Sequence, residues 1–166
     1  KLRKGQIAND DLSIPVLTEF LRLAFGYTLA ATKKGAAWYV CAPHGPIGLA
    51  FSIALNEIGV WRHSLVWVKD SLVLGRIDYH YRHEPIYYGW SPGASHSPVP
   101  TRDQDSVWEI PRPKRSLEHP TMKPVELVER AVKNSTSTGD VVLAPFGGSG
   151  TTIMACEKTG RSARCI

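Results

Sequence analysis

The sequence predicts an α/β domain, in which helices cover an open β-sheet. Apolar residues recur at helical spacing in several segments, and short continuous apolar runs lie between those segments. Turns that contain glycine or proline separate the two kinds of segment. Because helices that alternate with buried strands are typical of one sheet with helices packed on its faces, we expect that architecture here.

The first part of the chain predicts a helix, a strand and a second helix. Asp11 and Ser13 are candidate N-caps for the first helix. Residues 37–42 form a continuous apolar run, which indicates a fully buried strand. Residues 47–58 keep helical spacing and are followed by Gly59, at the position where a glycine commonly ends a helix.

The middle of the chain predicts two paired strands and a long connection. Residues 65–68 and 86–90 are apolar runs joined only by a loop, so we expect them to pair antiparallel. Prolines accumulate in residues 91–117 and no apolar period persists there. We therefore expect a functional or mobile loop with few apolar anchors. Within it, residues 107–110 fit a short edge strand.

Composition predicts a single soluble domain. The chain has 166 residues, of which 43% are hydrophobic and 21% are charged. We see no apolar run that approaches the roughly 18 residues of a transmembrane helix, and the start is too polar for a secretory signal. We therefore expect a cytoplasmic protein without membrane contact. The formal net charge of +5 fits contact with a polyanion.

Neither the cysteines nor the histidines predict a metal site. The cysteines lack metal-ligand spacing, so we expect reduced, buried thiols. They are Cys41, Cys156 and Cys165. His80, His83 and Glu84 lie close together, but histidines three residues apart without a third ligand nearby are weak metal ligands. We expect no metal.

A strand, a glycine-rich loop and a helix follow one another near the end of the chain. Residues 141–143 are a β-branched run that predicts a buried parallel strand, and residues 144–150 form the loop. Glycines let the backbone approach a ligand closely. Ser149, Thr151 and Thr152 are candidate caps of the helix that follows. A ligand would therefore lie at the carboxyl end of the strand.

The spacing within this loop excludes two phosphate-binding motifs. A P-loop needs lysine where the chain has Thr151, and residues 148–153 lack the last glycine of the dinucleotide fingerprint. The ligand therefore need not be a phosphate. The alternative interpretation is a turn from strand to helix that binds nothing.

A second motif precedes this strand. Residues 119–124 read His-Pro-Thr-Met-Lys-Pro, and Pro124 suits the first turn of a helix with apolar residues at helical spacing. Together with residues 145–152, Pro-Phe-Gly-Gly-Ser-Gly-Thr-Thr, they closely resemble two S-adenosylmethionine (AdoMet) motifs of the DNA amino-methyltransferases, which methylate adenine N6 or cytosine N4. The motif order resembles the beta group of that family. Further segments that look like the family are residues 9–12, 67–69, 79–85 and 107–110.

The resemblance implies a fold, a cofactor and a set of residues. The fold is a Rossmann-like, mainly parallel sheet with one reversed strand, here incomplete at both ends. Residues 1–90 would be the target and catalytic half, 91–118 a long loop and 119–166 the AdoMet-binding half of a single domain. The implied cofactor-binding residues are Thr121, Lys123, Phe146, Gly148, Ser149, Gly150 and Thr151.

The resemblance also implies a site-specific enzyme of DNA methylation and restriction–modification, encoded by a bacterium or a phage. Its partner would be double-stranded DNA with the target base flipped out. The family's catalytic Asp/Ser-Pro-Pro-Tyr/Phe motif is expected upstream of Lys1, so no residue is assigned as catalytic and the 166-residue chain alone is expected to be inactive. The family has aspartate where this chain has Ala144, and an acidic ribose-binding residue is expected just beyond Ile166.

Other interpretations stay open at this point. Tyr79, Tyr81 and His83 fit a pocket edge that meets a flipped base, or an exposed polar loop. A catalytically inactive remnant that binds nucleic acid or protein is the alternative to the enzyme, and Ala144 favours it. A different nucleotide-binding α/β enzyme is a third.

Overall fold

The α/β architecture predicted from the sequence is confirmed. The structure, a computed structural model, describes residues 12–72, 74–113 and 122–166, and these form four helices and six strands. In chain order the elements are α1 (Ile14–Ala31), β1 (Ala37–Cys41), α2 (Pro46–Glu57), β2 (Trp61–Val68), β3 (His83–Trp90), β4 (Val107–Glu109), α3 (Val125–Ser135), β5 (Val141–Ala144), α4 (Thr151–Thr159) and β6 (Ser162–Cys165).

In the part of the chain that the structure describes, the strands lie in two sheets. The first has the order β1-β3-β2-β4, and the second contains β5 and β6. In the first sheet β3 runs antiparallel to both β1 and β2, whereas β4 is parallel to β2. Strand β3 is therefore the one reversed strand, and the antiparallel pairing of β2 with β3 is confirmed. Strands β5 and β6 are parallel.

Two strands are less buried than the sequence suggested. Among the described residues β5 pairs only with β6, and Val141 is 61% exposed. Strand β1 lies at a sheet edge, and Trp38 is its one fully buried residue. The prediction of two buried strands is wrong for the described part of the chain, because each strand has a hydrogen-bonded neighbour there on one side only, which an apolar run cannot reveal.

Helices α1 and α2 cover one face of the first sheet. The core between them is centred on Leu21, Phe25 and Trp38, with Phe25 meeting the Trp38 ring edge-on at 6.1 Å between ring centroids. Gly59 follows α2 with φ of 71°, in the left-handed region, as its position in the sequence predicted. Ser13 is the N-cap of α1 but its side chain makes no capping hydrogen bond. Asp11 lies outside the described residues.

By length and composition alone, α1 could cross a membrane, since its 18 residues have a mean hydropathy of 1.2. Glu19 and Arg22, which form an ion pair, interrupt the apolar run of this segment, but the average over the helix still meets the criterion. One such helix is weak evidence for a membrane span, because core helices of soluble proteins and signal sequences near the N-terminus meet the same criterion. Helix α1 packs against α2, but only 11% of it is buried.

Helix α3 covers the opposite face of the first sheet. There Trp67, Ile86 and Trp108 pack with Leu127 of the helix. The Trp67 indole donates a hydrogen bond of 2.7 Å to the carbonyl of Ile110. The predicted edge strand is confirmed as β4, and the expectation of few apolar anchors is wrong at this point of the connection, because Trp108 and Ile110 are buried.

The cysteines differ in burial. All three thiols are free, but only Cys156 is buried, whereas Cys41 is half-buried and Cys165 is exposed. The expectation of three buried thiols is therefore wrong. Cys165 is exposed because it ends β6, a strand that pairs with β5 alone among the described residues.

Candidate functional site

The glycine-rich loop after β5 leaves backbone donors available. Gly148 and Gly150 have φ angles of 51° and 75°, in the left-handed region that favours glycine. The Gly147 amide donates to the carbonyl of Ile166 at 3.2 Å, and the Gly150 amide donates to the carbonyl of Gly147 at 2.9 Å. The amides of Gly148 and Ser149 make no backbone hydrogen bond in the part of the chain that the structure describes. These two N–H groups, next to the start of α4, are suited to a ligand acceptor.

A cavity of about 260 Å³ lies at this loop. Five of the seven residues that the sequence pointed to line it: Lys123, Phe146, Gly148, Ser149 and Thr151. The other lining residues are Met122, Val128, Gly147 and Thr152. None of these four was named as a cofactor residue, although Met122, Gly147 and Thr152 lie inside the two motifs and Val128 lies in the helix that follows the first motif.

The two remaining residues of the predicted cofactor site are Gly150 and Thr121. Gly150 lies between lining residues and is the N-cap of α4, although it does not itself line the cavity. Thr121 lies outside the described residues.

The two sequence motifs meet through Thr151. Its buried hydroxyl donates to the carbonyl of Lys123 at 3.3 Å and lies 3.0 Å from the Ser149 hydroxyl. The prediction that Ser149, Thr151 or Thr152 caps α4 is wrong, because the N-cap is Gly150 and no side chain makes the capping bond. The hydroxyls instead tie the loop to the segment before α3.

One lining residue of the cavity, Lys123, belongs to a charged group centred on a carboxylate. Glu84 accepts hydrogen bonds from Lys69, at 2.8 Å, and from Lys123. The side chains of Lys69 and Lys123 are 8% and 34% exposed, respectively. Both ammonium nitrogens lie over the Trp67 ring, at 5.3 and 5.6 Å from its centroid. We call Lys69, Glu84 and Lys123 the ion triad.

The sequence contained a signal for this triad that was missed. Lys69 follows β2 directly, and in the register of β2 with β3 Trp67 lies opposite Glu84. Opposite charges at adjoining ends of paired strands are expected to meet. Glu84 was considered instead as a metal ligand with His80 and His83.

The triad carries a surplus positive charge. Burial raises the pKa of Glu84, but hydrogen bonds and charge from Lys123 and then Lys69 outweigh burial, and the pKa ends below its ordinary value of 4.5. An ionised carboxylate balances only one of the two ammonium groups. Because Lys123 also lines the cavity, the cavity wall favours a ligand with a carboxylate or another anionic group.

No sulfur nucleophile is formed beside the triad. Burial raises the pKa of the Cys41 thiol to about 11, and the opposing effect of the Lys123 charge is smaller. The thiol is therefore protonated at neutral pH.

Three aromatic side chains cluster next to Glu84. His44 stacks parallel on Tyr81 with centroids 3.8 Å apart, and His83 meets His44 edge-on at 5.0 Å. Burial, followed by the nearby His83, lowers the pKa of His44, so its ring is neutral at pH 7. Tyr79, by contrast, is 88% exposed and has no ring contact among the described residues. We call His44, Tyr81 and His83 the aromatic cluster.

The residues considered as metal ligands make other contacts in the structure. Glu84 forms ion pairs with the two lysines, and His80 accepts a hydrogen bond from the Gly75 amide at 3.3 Å. Within residues 12–72, 74–113 and 122–166, no group of three or more ligand side chains could hold a metal ion.

Comparison with known proteins identifies the family. A family model described as DNA methylase, of the N6/N4 methyltransferase type, matches residues 8–166. The chain belongs to this family. The resemblance seen in the two motifs is thereby confirmed.

Individual relatives cover the chain to different extents. The type II methyltransferase M.XycI of Xanthomonas campestris pv. cyanopsidis is 34% identical over an alignment 161 residues long, which covers 82% of this chain and 53% of M.XycI. The type II methyltransferase M.HpaI of Haemophilus parainfluenzae is 43% identical over 61 residues, 34% of this chain and 19% of M.HpaI. The chain thus spans about half the length, or less, of these curated relatives.

Solved structures share the fold. The M1.HpyAVI–SAM complex superposes with a TM-score of 0.72 at 23% identity, covering 89% of this chain and 75% of that chain. The cytosine-N4-specific PvuII DNA methyltransferase gives a TM-score of 0.71 at 15% identity, covering 98% of this chain and 69% of that chain. At these identities the likeness establishes the α/β methyltransferase fold.

We expect the ion triad to contribute stability that depends on pH. Glu84→Gln should lower the free energy of unfolding at pH 7 by about 1 to 3 kcal/mol, because the variant leaves a buried ammonium group without its carboxylate. Since the folded pKa of Glu84 is depressed, this contribution is fully present above its ordinary pKa of 4.5 and is lost as pH falls through the lower folded pKa. Urea denaturation of both proteins over this pH range measures the difference.

Glu129→Gln provides the matched control. Glu129 also lies between two lysines, Lys133 at 3.3 Å and Lys158 at 3.1 Å, but both lysines are exposed. The control should lose less than about 1 kcal/mol. Equal losses in the two variants, or a Glu84→Gln effect that persists below the pKa of the carboxyl group, would contradict the interpretation.

Proposed function

We propose that the full-length protein transfers a methyl group from AdoMet to the exocyclic amino group of adenine (N6) or cytosine (N4) in DNA. The observation that carries this proposal is the meeting of two motifs from different parts of the chain at one cavity, joined by the Thr151–Lys123 hydrogen bond. The cofactor would bind in the 119–166 half and the target base would meet the 1–90 half.

The chemical groups at the cavity suit the individual parts of AdoMet. The Phe146 ring is 57% exposed and offers a face to an adenine ring. The ammonium group of Lys123 and the amides of Gly148 and Ser149 suit the carboxylate of the methionine part. The cavity, at about 260 Å³, lies near the lower end of the roughly 300 to 1,000 Å³ typical of small-molecule pockets, so it would enclose the cofactor only in part.

When bound, AdoMet supplies an electrophilic methyl group on its sulfonium. The chain's own residues would hold and orient it, and no residue of this sequence is proposed to take the proton from the amine. The family's catalytic tetrapeptide, expected upstream of Lys1, would make the polar contacts to that amine.

The target base would meet the aromatic cluster. An exocyclic amine in the base stack cannot reach the methyl group, so the base must leave the duplex. His44 and His83 lie beside Glu84, which bonds Lys123 at the cofactor cavity, so the cluster is next to the cavity. A neutral His44 ring stacked on Tyr81 offers a flat, uncharged surface for a base.

Removing the Phe146 ring tests the cofactor site. Phe146→Ala should weaken AdoMet binding by the full-length protein roughly 5- to 150-fold, the usual value of one stacked ring. Calorimetry measures the affinity, and transfer of a labelled methyl group to duplex DNA measures activity. Tyr27→Ala, which removes an exposed ring on α1, is the control and should bind AdoMet normally. Unchanged affinity in Phe146→Ala, or no methyl transfer by the wild-type protein, would contradict the proposal.

Duplex DNA in the bacterial cytoplasm is the proposed partner. The net charge of +5 indicates that phosphate contacts drive affinity. We therefore expect DNA affinity to fall steeply with salt, roughly in proportion to the number of phosphates contacted. Fluorescence anisotropy across a salt series measures it, and an affinity that stays flat through physiological salt would contradict the prediction.

An inactive binding protein is the second candidate, and Ala144 favours it. Alanine at the end of β5 offers no side-chain acceptor to the amides of the loop, where the family has aspartate. A hydrogen bond to a charged group contributes about 1.5 to 3 kcal/mol. Ala144→Asp in the full-length protein should therefore raise AdoMet affinity roughly 10- to 100-fold, as measured by calorimetry. Equal affinities would indicate that the loop backbone carries binding without the acid.

A further inference from the structure

Lys69 is a buried cation that does not line the cofactor cavity. Its side chain is 8% exposed, whereas the cavity wall at this point is formed by Lys123. A lysine is almost never fully buried unless it is paired, and burial of its charge costs free energy that an uncharged side chain of similar length, such as methionine, does not cost. Packing alone therefore does not explain a lysine at this position.

Several contacts hold the Lys69 ammonium group in place. It donates to one carboxylate oxygen of Glu84 at 2.8 Å and lies 5.3 Å from the centroid of the Trp67 ring. The Lys69 amide donates to the carbonyl of Arg82 at 2.8 Å, and the Lys69 carbonyl accepts a hydrogen bond from the Arg82 side chain at 3.2 Å. Backbone and side chain together therefore fix the ammonium group next to Glu84.

The carboxylate of Glu84 is shared between two lysines. One oxygen accepts from Lys69 and the other accepts from Lys123. Because one negative charge faces two positive charges, the three side chains together keep one positive charge. Lys123 is 34% exposed and lines the cavity, so this surplus charge is accessible to a ligand at Lys123.

The charge of Lys69 determines how much of the Lys123 charge a ligand meets. Without Lys69, Glu84 and Lys123 would form an ion pair with no net charge. A carboxylate of a ligand would then approach an ammonium group that is already neutralised, and it would be repelled by the Glu84 carboxylate nearby. Lys69 thus acts on a ligand through Glu84 and Lys123, without touching it.

We propose that Lys69 is a positioning residue for the carboxylate of AdoMet: its ion pair with Glu84 leaves the Lys123 ammonium group with a net positive charge toward the cavity. This inference rests on the proposed function, because it takes AdoMet as the ligand. It adds a residue that lies outside the two cofactor motifs and that acts through two ion pairs.

Calorimetry on the full-length protein tests the proposal with two probes, AdoMet and decarboxylated AdoMet, which lacks only the carboxylate. Lys69→Met should weaken AdoMet binding roughly 5- to 20-fold, because it removes one positive charge beside a partly exposed site. Binding of decarboxylated AdoMet, which is cationic, should stay equal or become tighter. Lys158→Met removes an exposed lysine that pairs with Glu129, and this matched control should bind both probes as the wild type does.

A double variant separates the electrostatic role from a structural one. In Lys69→Met the Glu84 carboxylate keeps Lys123 as its partner, so no charge is left unpaired and we expect the variant to fold. Lys69→Met/Glu84→Gln restores the surplus charge on Lys123, and it should therefore bind AdoMet roughly 3- to 10-fold more tightly than Lys69→Met. If Lys69 served packing alone, the second substitution would weaken binding further. Lys69→Arg, which keeps the charge, should retain most of the affinity.

Three results would overturn the inference and leave the proposed function intact. These are equal AdoMet affinity in Lys69→Met and wild type, equal losses for AdoMet and decarboxylated AdoMet in Lys69→Met, and no recovery of AdoMet binding in the double variant. Failure of the wild-type protein to bind AdoMet would instead contradict the proposed function, and the inference with it.

Discussion

The ionised carboxylate of Glu84 is the interaction on which the rest of the site depends. Among the described residues no strand pairs with both sheets, so side chains must connect them. Glu84 on β3 bonds Lys123, which precedes α3, and Thr151 of α4 bonds the Lys123 carbonyl. A further contact joins the Phe20 and Phe146 rings, with centroids 6.4 Å apart. Without Glu84, the buried ammonium of Lys69 would have no counter-charge from within the triad.

Stability alone does not account for such a triad. Replacing a buried ion pair with apolar residues of similar volume is often neutral or stabilising, because removing charges from water costs several kcal/mol each. An apolar replacement would, however, place no cation at the cavity wall. Two lysines against one carboxylate leave a positive charge there, fixed over the Trp67 ring, and a fixed charge loses less freedom when an anionic ligand binds.

Local patterns predicted local structure well and long-range pairing poorly. The period of residues 47–58 with Gly59, and the apolar run at 107–110, specified α2 and β4 because the relevant forces act within a few residues. The two motifs likewise pointed to residues that line one cavity. The division of the described strands between two sheets and the exposure of Val141 depend on which elements lie next to each other, and no single stretch of sequence encodes that.

The reversed direction of β3 explains why the charged and aromatic groups gather at one edge of the sheet. Strands β1 and β2 run the same way, so the residues just after them, such as His44 and Lys69, reach the same edge. Because β3 runs oppositely, its first residues, His83 and Glu84, arrive at that edge too. A parallel strand in this position would carry them to the far edge, away from Lys123. The antiparallel pairing, which the sequence did predict, is therefore the feature that brings the triad and the aromatic cluster to one edge of the sheet.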